Sequence, residues 1–184
     1  MFYLNDLDVN LNFNHKIHTL DIDDNDMDND IVKVIDEQSD YRKDSNVKAK
    51  RTGWYMQDQK GFSKLGDIFK AGVETLVKKK NNCKVNAELE ELWGIKYLSN
   101  EVSHTHDHFP FTYSMAYYIN PPKNSPNLYF PQLDYTHQIK HGQMVIFDGW
   151  LKHMVSEKSF DGIRYAVSGN ITANLIKNNK YYIS

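Results

Sequence analysis

Apolar residues change their spacing near residue 84 of this 184-residue chain. Before that point the pattern is helical. Phe62, Leu65, Phe69, Val73 and Leu76 recur at i, i+3, i+4 intervals, which predicts an amphipathic helix over residues 62–80. Ser63 is the expected N-terminal residue. Lys78, Lys79 and Lys80 stand at the end where cations suit the helix dipole. Upstream, residues 17–22 alternate apolar and polar, as a short half-buried strand does. Asp28, Asn29 or Asp30 is expected to cap a second helix whose apolar positions are Ile31, Val34 and Ile35. Residues 41–49 read as a polar linker.

Beyond Asn82, segments rich in β-branched and aromatic side chains are separated by Asn, Pro, Gly and Ser. They fall at residues 88–98, 112–120, 127–130, 143–148, 153–156 and 164–171. No helical pattern intervenes, so the expected architecture is an antiparallel sandwich or barrel. The fold class is α+β, mainly β, in a single domain over residues 1–184. Residues 1–83 form a strand-and-helix buttress and residues 84–184 the β core. Twelve Tyr and nine Phe agree with a β-rich chain.

Composition is ordinary for a globular domain, with 40% apolar and 25% charged residues. A net charge of −2 supplies no global basic field for nucleic acid. No apolar run reaches the roughly 20 residues a membrane helix needs, and the first residues lack a secretory pattern. The one cysteine, Cys83, has no internal partner, which fits a reducing compartment. The expected location is the cytoplasm, or the host cytoplasm for a viral source. The acidic run at residues 21–30 carries carboxylates at alternate positions but is no calcium loop. Asp26 stands where the loop needs glycine, and Val32 where it needs a bidentate Glu.

Three histidines alternate in His104-Thr105-His106-Asp107-His108, and His153 follows about 45 residues later. On a regular strand, imidazoles at i and i+2 share a face. Two of them with a third from a distant strand can close one face of a metal ion and leave the opposite positions open. Spacing alone does not decide which two of His104, His106 and His108 take part. His137 and His141 flank a tight turn and are expected to face solvent. Trp93 and Trp150 read as packing residues. Arg164 is one of three arginines among 22 basic side chains. It opens a strand on which Ala166, Ser168 and Asn170 share its face. A guanidinium pointing inward needs a carboxylate, from the protein or from a small acid beside the metal.

The last 80 or so positions resemble the iron(II)/2-oxoglutarate-dependent oxygenases, in the branch that includes prolyl 4-hydroxylases and phage and bacterial relatives. The resemblance is carried, in order, by His106-Asp107-His108, Tyr117-Tyr118-Ile119-Asn120, Asn127-Leu128-Tyr129-Phe130, Gly142-Gln143-Met144-Val145-Ile146-Phe147, His153 and Arg164-Tyr165-Ala166-Val167-Ser168. It implies a double-stranded β-helix, or jelly roll, with N-terminal helices packed on one sheet. It implies Fe(II) held by His106, His108 and His153, with 2-oxoglutarate and O2 as co-substrates and no catalytic side chain beyond the metal ligands. Arg164 would pair with the distal carboxylate of 2-oxoglutarate. Tyr118 and Ser168 would donate to it, and Tyr97 would line the pocket. The implied reaction is hydroxylation of a substrate C–H coupled to decarboxylation of 2-oxoglutarate. The substrate, whether peptide, nucleotide or small molecule, is not specified; the oligomeric state is equally open. The segments 104–108, 121–127 and 132–140 are expected to frame the mouth.

One departure from the family bears on the chemistry. The middle ligand is usually a carboxylate, and here it is His108, giving three neutral donors. That set also suits zinc. Two other readings follow: a binding or structural jelly-roll module that holds zinc or no metal, and a three-histidine cupin-type dioxygenase that does not use 2-oxoglutarate.

Overall fold

The computed structural model describes residues 16–43 and 45–176. Twelve strands and two helices follow in the order β1 (His18–Asp21), α1 (Asn25–Gln38), β2 (Asp40–Tyr41), β3 (Val47–Lys48), β4 (Lys50–Arg51), α2 (Phe62–Asn81), β5 (Val85–Tyr97), β6 (Val102–His106), β7 (Tyr113–Ile119), β8 (Leu128–Phe130), β9 (Tyr135–His137), β10 (Gln143–Asp148), β11 (His153–Val155) and β12 (Arg164–Leu175). Seven form one antiparallel sheet, in the order β1-β10-β7-β12-β5-β4-β2. Five form a second, in the order β3-β6-β11-β8-β9. The arrangement is the expected jelly roll.

Strand alternation divides the interior. On β7, Tyr113, Met115, Tyr117 and Ile119 point out of the sandwich and pack with Ile31 and Ile35 of α1 and Leu65, Phe69 and Val73 of α2. The alternate residues Ala116 and Tyr118 point inward, against Leu128 and Phe130 of the second sheet and Phe147 of β10. A third cluster joins Trp93, Ile95 and Tyr97 of β5 to Val47 and Val155. The larger sheet is therefore buried on both faces, under helices on one side and the second sheet on the other. Among the described residues no helix is long and apolar enough to cross a membrane.

Helix α1 packs directly over Gly94 of the sheet. A Cβ built there would lie 2.3 Å from Ile35 Cγ1 and 2.7 Å from its Cδ1, and Ile35 is fully buried. Gly94→Ala should therefore displace α1. The expected cost is about 1–3 kcal/mol, the usual range for overpacking, read as a lowered urea midpoint with an unchanged slope.

Four expectations are corrected here. Helix α1 begins at Asn25 with Asp24 as its cap, whose side chain accepts from Met27 N at 3.0 Å. Asp26 and Asp28 lie in its first turn, where negative charge suits the dipole. Asp28 is thus no cap but a buried side chain, accepting a 2.7 Å hydrogen bond from the Tyr117 hydroxyl. Helix α2 is capped by Gly61 at φ +80°, not by Ser63. Residues 41–49 are not a linker throughout: β3 pairs with β6. Residues 132–140 are not all loop, since β9 pairs with β8.

Candidate metal centre and carboxylate pocket

Strands β6 and β11 are neighbours in the smaller sheet, and His153 pairs directly opposite His106. Further along, the register slips: Val155 lies opposite Ser103. β6 therefore carries one extra residue, a bulge, between Ser103 and His106. The bulge resets the alternation, so that Ser103 and His106 both line the interior while His104 is exposed. The three alternating histidines do not share a face for that reason, and His104 is not part of the cluster. His108 lies just beyond the strand, held where His108 N donates to Gly149 O at 2.6 Å and Phe111 N donates back to His108 O at 3.0 Å. Gly149 is needed at this crossing, because a Cβ there would stand 2.1 Å from Phe111 O. Asp107 accepts from Phe109 N at 3.2 Å and stays out of the cluster.

His106, His108 and His153 present three ring nitrogens within 4.8 Å of one another. Ring centroids are 4.4 Å apart for His106 and His153, and 5.0 Å for each pair involving His108. The Nδ1 atoms of His106 and His153 are occupied by the carbonyls of His104 (2.7 Å) and Leu151 (3.0 Å). A donor Nδ1–H there fixes the tautomer and leaves Nε2 bare for an ion. Burial pushes all three imidazoles toward the neutral form. It lowers His106, and with the neighbouring histidines it pushes His108 down to about 3 and His153 well below the ordinary value. The donor set fits a divalent transition metal: three neutral imidazoles, with no further His, Cys, Asp or Glu in the cluster among the described residues.

The same neutrality sets a pH dependence for the metal-free protein. In the unfolded chain these histidines take protons near pH 6.5, whereas in the fold they do so only at lower pH. Stability is therefore present above about pH 6.5 and is lost as pH falls below it. Denaturant midpoints should drop between about pH 7.5 and pH 5 in the metal-free protein.

Arg164, the first residue of β12, is 1% exposed. Its guanidinium carbon lies 4.7 Å from the ring centre of Tyr97 and 5.2 Å from that of Tyr118. Its Nε and Nη1 are buried with no hydrogen-bond partner, and none of the ion pairs among the described residues involves it. A buried guanidinium without an anion is costly. Tyr97 and Tyr118 are also buried, and burial holds both phenols above their ordinary value, so they remain donors. One cavity is lined by Arg164, Tyr118, Ser168, His106 and His153, with Phe147, Leu128 and Val155 among its walls. The residue two positions beyond Arg164 on its face is Ala166. Ser168 is two further on, about 13 Å along the strand at 3.3 Å per residue, and Asn170, the next residue on that face, reaches His108.

Trp93 is a buried wall of this cavity, in ring contact with His108 at 5.7 Å. Trp150 is 40% exposed. The expectation for His137 is corrected. It is buried, with Nε2 2.9 Å from Gln143 Oε1, whereas His141 is exposed as expected. The side chains behind His108, namely Asn170, Ser114 and Glu91, carried no motif that would have singled them out.

No protein-family model matches the chain, and no curated protein matches it significantly. Solved structures do. A viral collagen prolyl hydroxylase from Paramecium bursaria chlorella virus 1, solved as a 2OG complex, covers 84% of this chain and 94% of its own at TM-score 0.59 and 16% identity. A prolyl-4-hydroxylase from Pseudomonas putida covers 86% and 93% at TM-score 0.61 and 13% identity. A Trichoplax adhaerens prolyl hydroxylase, solved with a hypoxia inducible factor oxygen degradation domain peptide fragment, covers 85% and 83% at TM-score 0.59 and 14% identity. At these identities the likeness is one of fold.

Proposed function

We propose that this protein is an Fe(II)/2-oxoglutarate-dependent oxygenase that hydroxylates a C–H bond of its substrate. The observation that carries the reading is Arg164: a buried guanidinium, with no carboxylate against it among the described residues, lining the same cavity as His106 and His153 of the three-histidine cluster. A cation and a metal-ligand set on one cavity suit a dicarboxylic acid that uses both. The shared fold with prolyl hydroxylases supports the same assignment.

His106, His108 and His153 hold the metal. Arg164 takes the distal carboxylate of 2-oxoglutarate on its unpartnered guanidinium edge, through charge-assisted hydrogen bonds. Tyr118 and Tyr97, kept protonated by burial, donate beside it. Ser168 serves the metal-proximal end rather than the distal carboxylate. Phe147, Leu128 and Val155 exclude water along the carbon chain. When bound, the iron and 2-oxoglutarate supply the oxidising chemistry, coupling O2 reduction and loss of CO2 to substrate hydroxylation. No side-chain general base is needed. The substrate is a peptide, nucleotide or small molecule.

The test is anaerobic mixing of the protein with Fe(II) and 2-oxoglutarate. A visible charge-transfer band that requires both is expected, followed by succinate release on admitting O2. Metal binding without such a band would favour a zinc-holding jelly-roll module or a cupin-type dioxygenase instead.

A further inference from the structure

Of the three clustered histidines, His108 differs in what stands behind it. His106 and His153 turn Nδ1 to backbone carbonyls, but His108 Nδ1 lies 3.4 Å from the side-chain amide nitrogen of Asn170. That amide is held at both ends. Ser114 Oγ donates to Asn170 Oδ1 at 2.7 Å, and Asn170 Nδ2 donates to Glu91 Oε2 at 2.7 Å. Asn170 is fully buried and Ser114 nearly so.

A bulge brings the carboxylate there. Asn170 pairs with Glu91 and Ile171 with Leu89, so Glu90 is an extra residue on β5. Ala87 and Leu89 pack on the helix side of the sheet, whereas Trp93 faces the interior. Without the extra residue, Glu91 would share the helix-facing side with Leu89. With it, Glu91 is aligned with Trp93 and reaches Asn170.

An ion on Nε2 leaves His108 Nδ1 as an N–H, which needs an acceptor. The amide nitrogen now facing it is a donor. A half-turn of the Asn170 carboxamide presents Oδ1 instead. Nδ2 then meets the Ser114 hydroxyl, which accepts as readily as it donates. Half-buried Glu91 has the Arg51 guanidinium as an alternative neighbour. We propose that Asn170 is the positioning residue that sets the tautomer and ring orientation of His108 for metal binding, with Ser114 holding its amide in the metal-binding orientation and Glu91 holding it in the metal-free one. This rests on the metal reading above.

The test uses Co(II) alone as probe, read by affinity and by its visible spectrum. Asn170→Leu should weaken Co(II) binding by about 10-fold or more, the loss typical of an outer-shell partner, and should change the spectrum. The double variant E91Q/N170D should bind at least as tightly as the wild type. Its carboxylate at position 170 would accept from His108 Nδ1–H, and its carboxamide at position 91 would donate to that carboxylate, with net charge unchanged. Thermal melts of the metal-free proteins separate folding from binding. Wild-type affinity and spectrum in Asn170→Leu would overturn the inference and leave the metal site standing. If Asn170→Leu does not fold, the double variant decides: binding about 10-fold weaker than wild type would overturn it. Failure of the wild type to bind Co(II) at all would instead remove the metal reading itself.

Discussion

Arg164→Ala should abolish 2-oxoglutarate-dependent succinate release while leaving Co(II) binding at His106, His108 and His153 near the wild-type level. The guanidinium is buried between two tyrosine rings, with two nitrogens unpaired. A carboxylate arriving there forms charge-assisted hydrogen bonds in a buried site. Removing one partner of such a pair costs about 3 kcal/mol or more, which is about 100-fold or more in affinity. At 2-oxoglutarate concentrations that saturate the wild type, the variant should therefore release no succinate above background. Arg164→Lys should recover little, because an ammonium offers a point charge where the site presents a planar fork. The metal-free Arg164→Ala protein should lose less stability than its volume suggests, since an uncompensated buried charge leaves with the side chain. Turnover at the wild-type rate by the Ala variant would refute the carboxylate pocket and favour a dioxygenase that needs no 2-oxoglutarate.

The parts of this site that were legible in the sequence are those that obey strict periodicity. β10 spans Gln143–Asp148 and α2 spans Phe62–Asn81, within one residue of the bounds read from the apolar spacing. Both patterns are long or regular enough to fit one period. Arg164 stood out because arginine is rare in this chain, and its position at a strand start put its face in register with Ala166. What spacing could not show is where the period breaks. A single extra residue in β6 turns His104 outward, and a single extra residue in β5 turns Glu91 inward. Bulges have no strong residue signature of their own, so each shifted the faces without notice. The two-residue strand Val47–Lys48 is too short to have a period at all. The acidic run before α1 misled for a different reason: Asp favours turns and helix N-termini alike. The choice between them depended on Ile31 and Ile35 finding a sheet to cover.

His153→Ala should remove metal binding, and with it activity, more completely than any outer-shell change. His106 and His108 come from one short segment, so each can adjust with the other. His153 arrives on a separate strand, paired opposite His106 and fixed by its own Leu151 carbonyl. Without it an ion has two imidazoles and open solvent. The expected loss in Co(II) affinity is more than about 100-fold, beyond the range of about 10–100-fold for outer-shell mutations. The ring also packs against Phe147 at 4.8 Å and Phe130 at 6.2 Å, so truncation alone would confuse binding with folding. His153→Phe keeps that contact and should melt at or above the wild-type metal-free temperature while binding no better than the Ala variant. It should also flatten the fall in stability below about pH 6.5, because one of the three buried bases that must be charged on unfolding is gone. His104→Ala is the matched control. The bulge places that ring outside, so its loss should leave Co(II) affinity unchanged. A large loss there, with retention in His153→Ala, would mean that the ion is gathered by the 104–108 segment alone and that strand β11 contributes nothing to it.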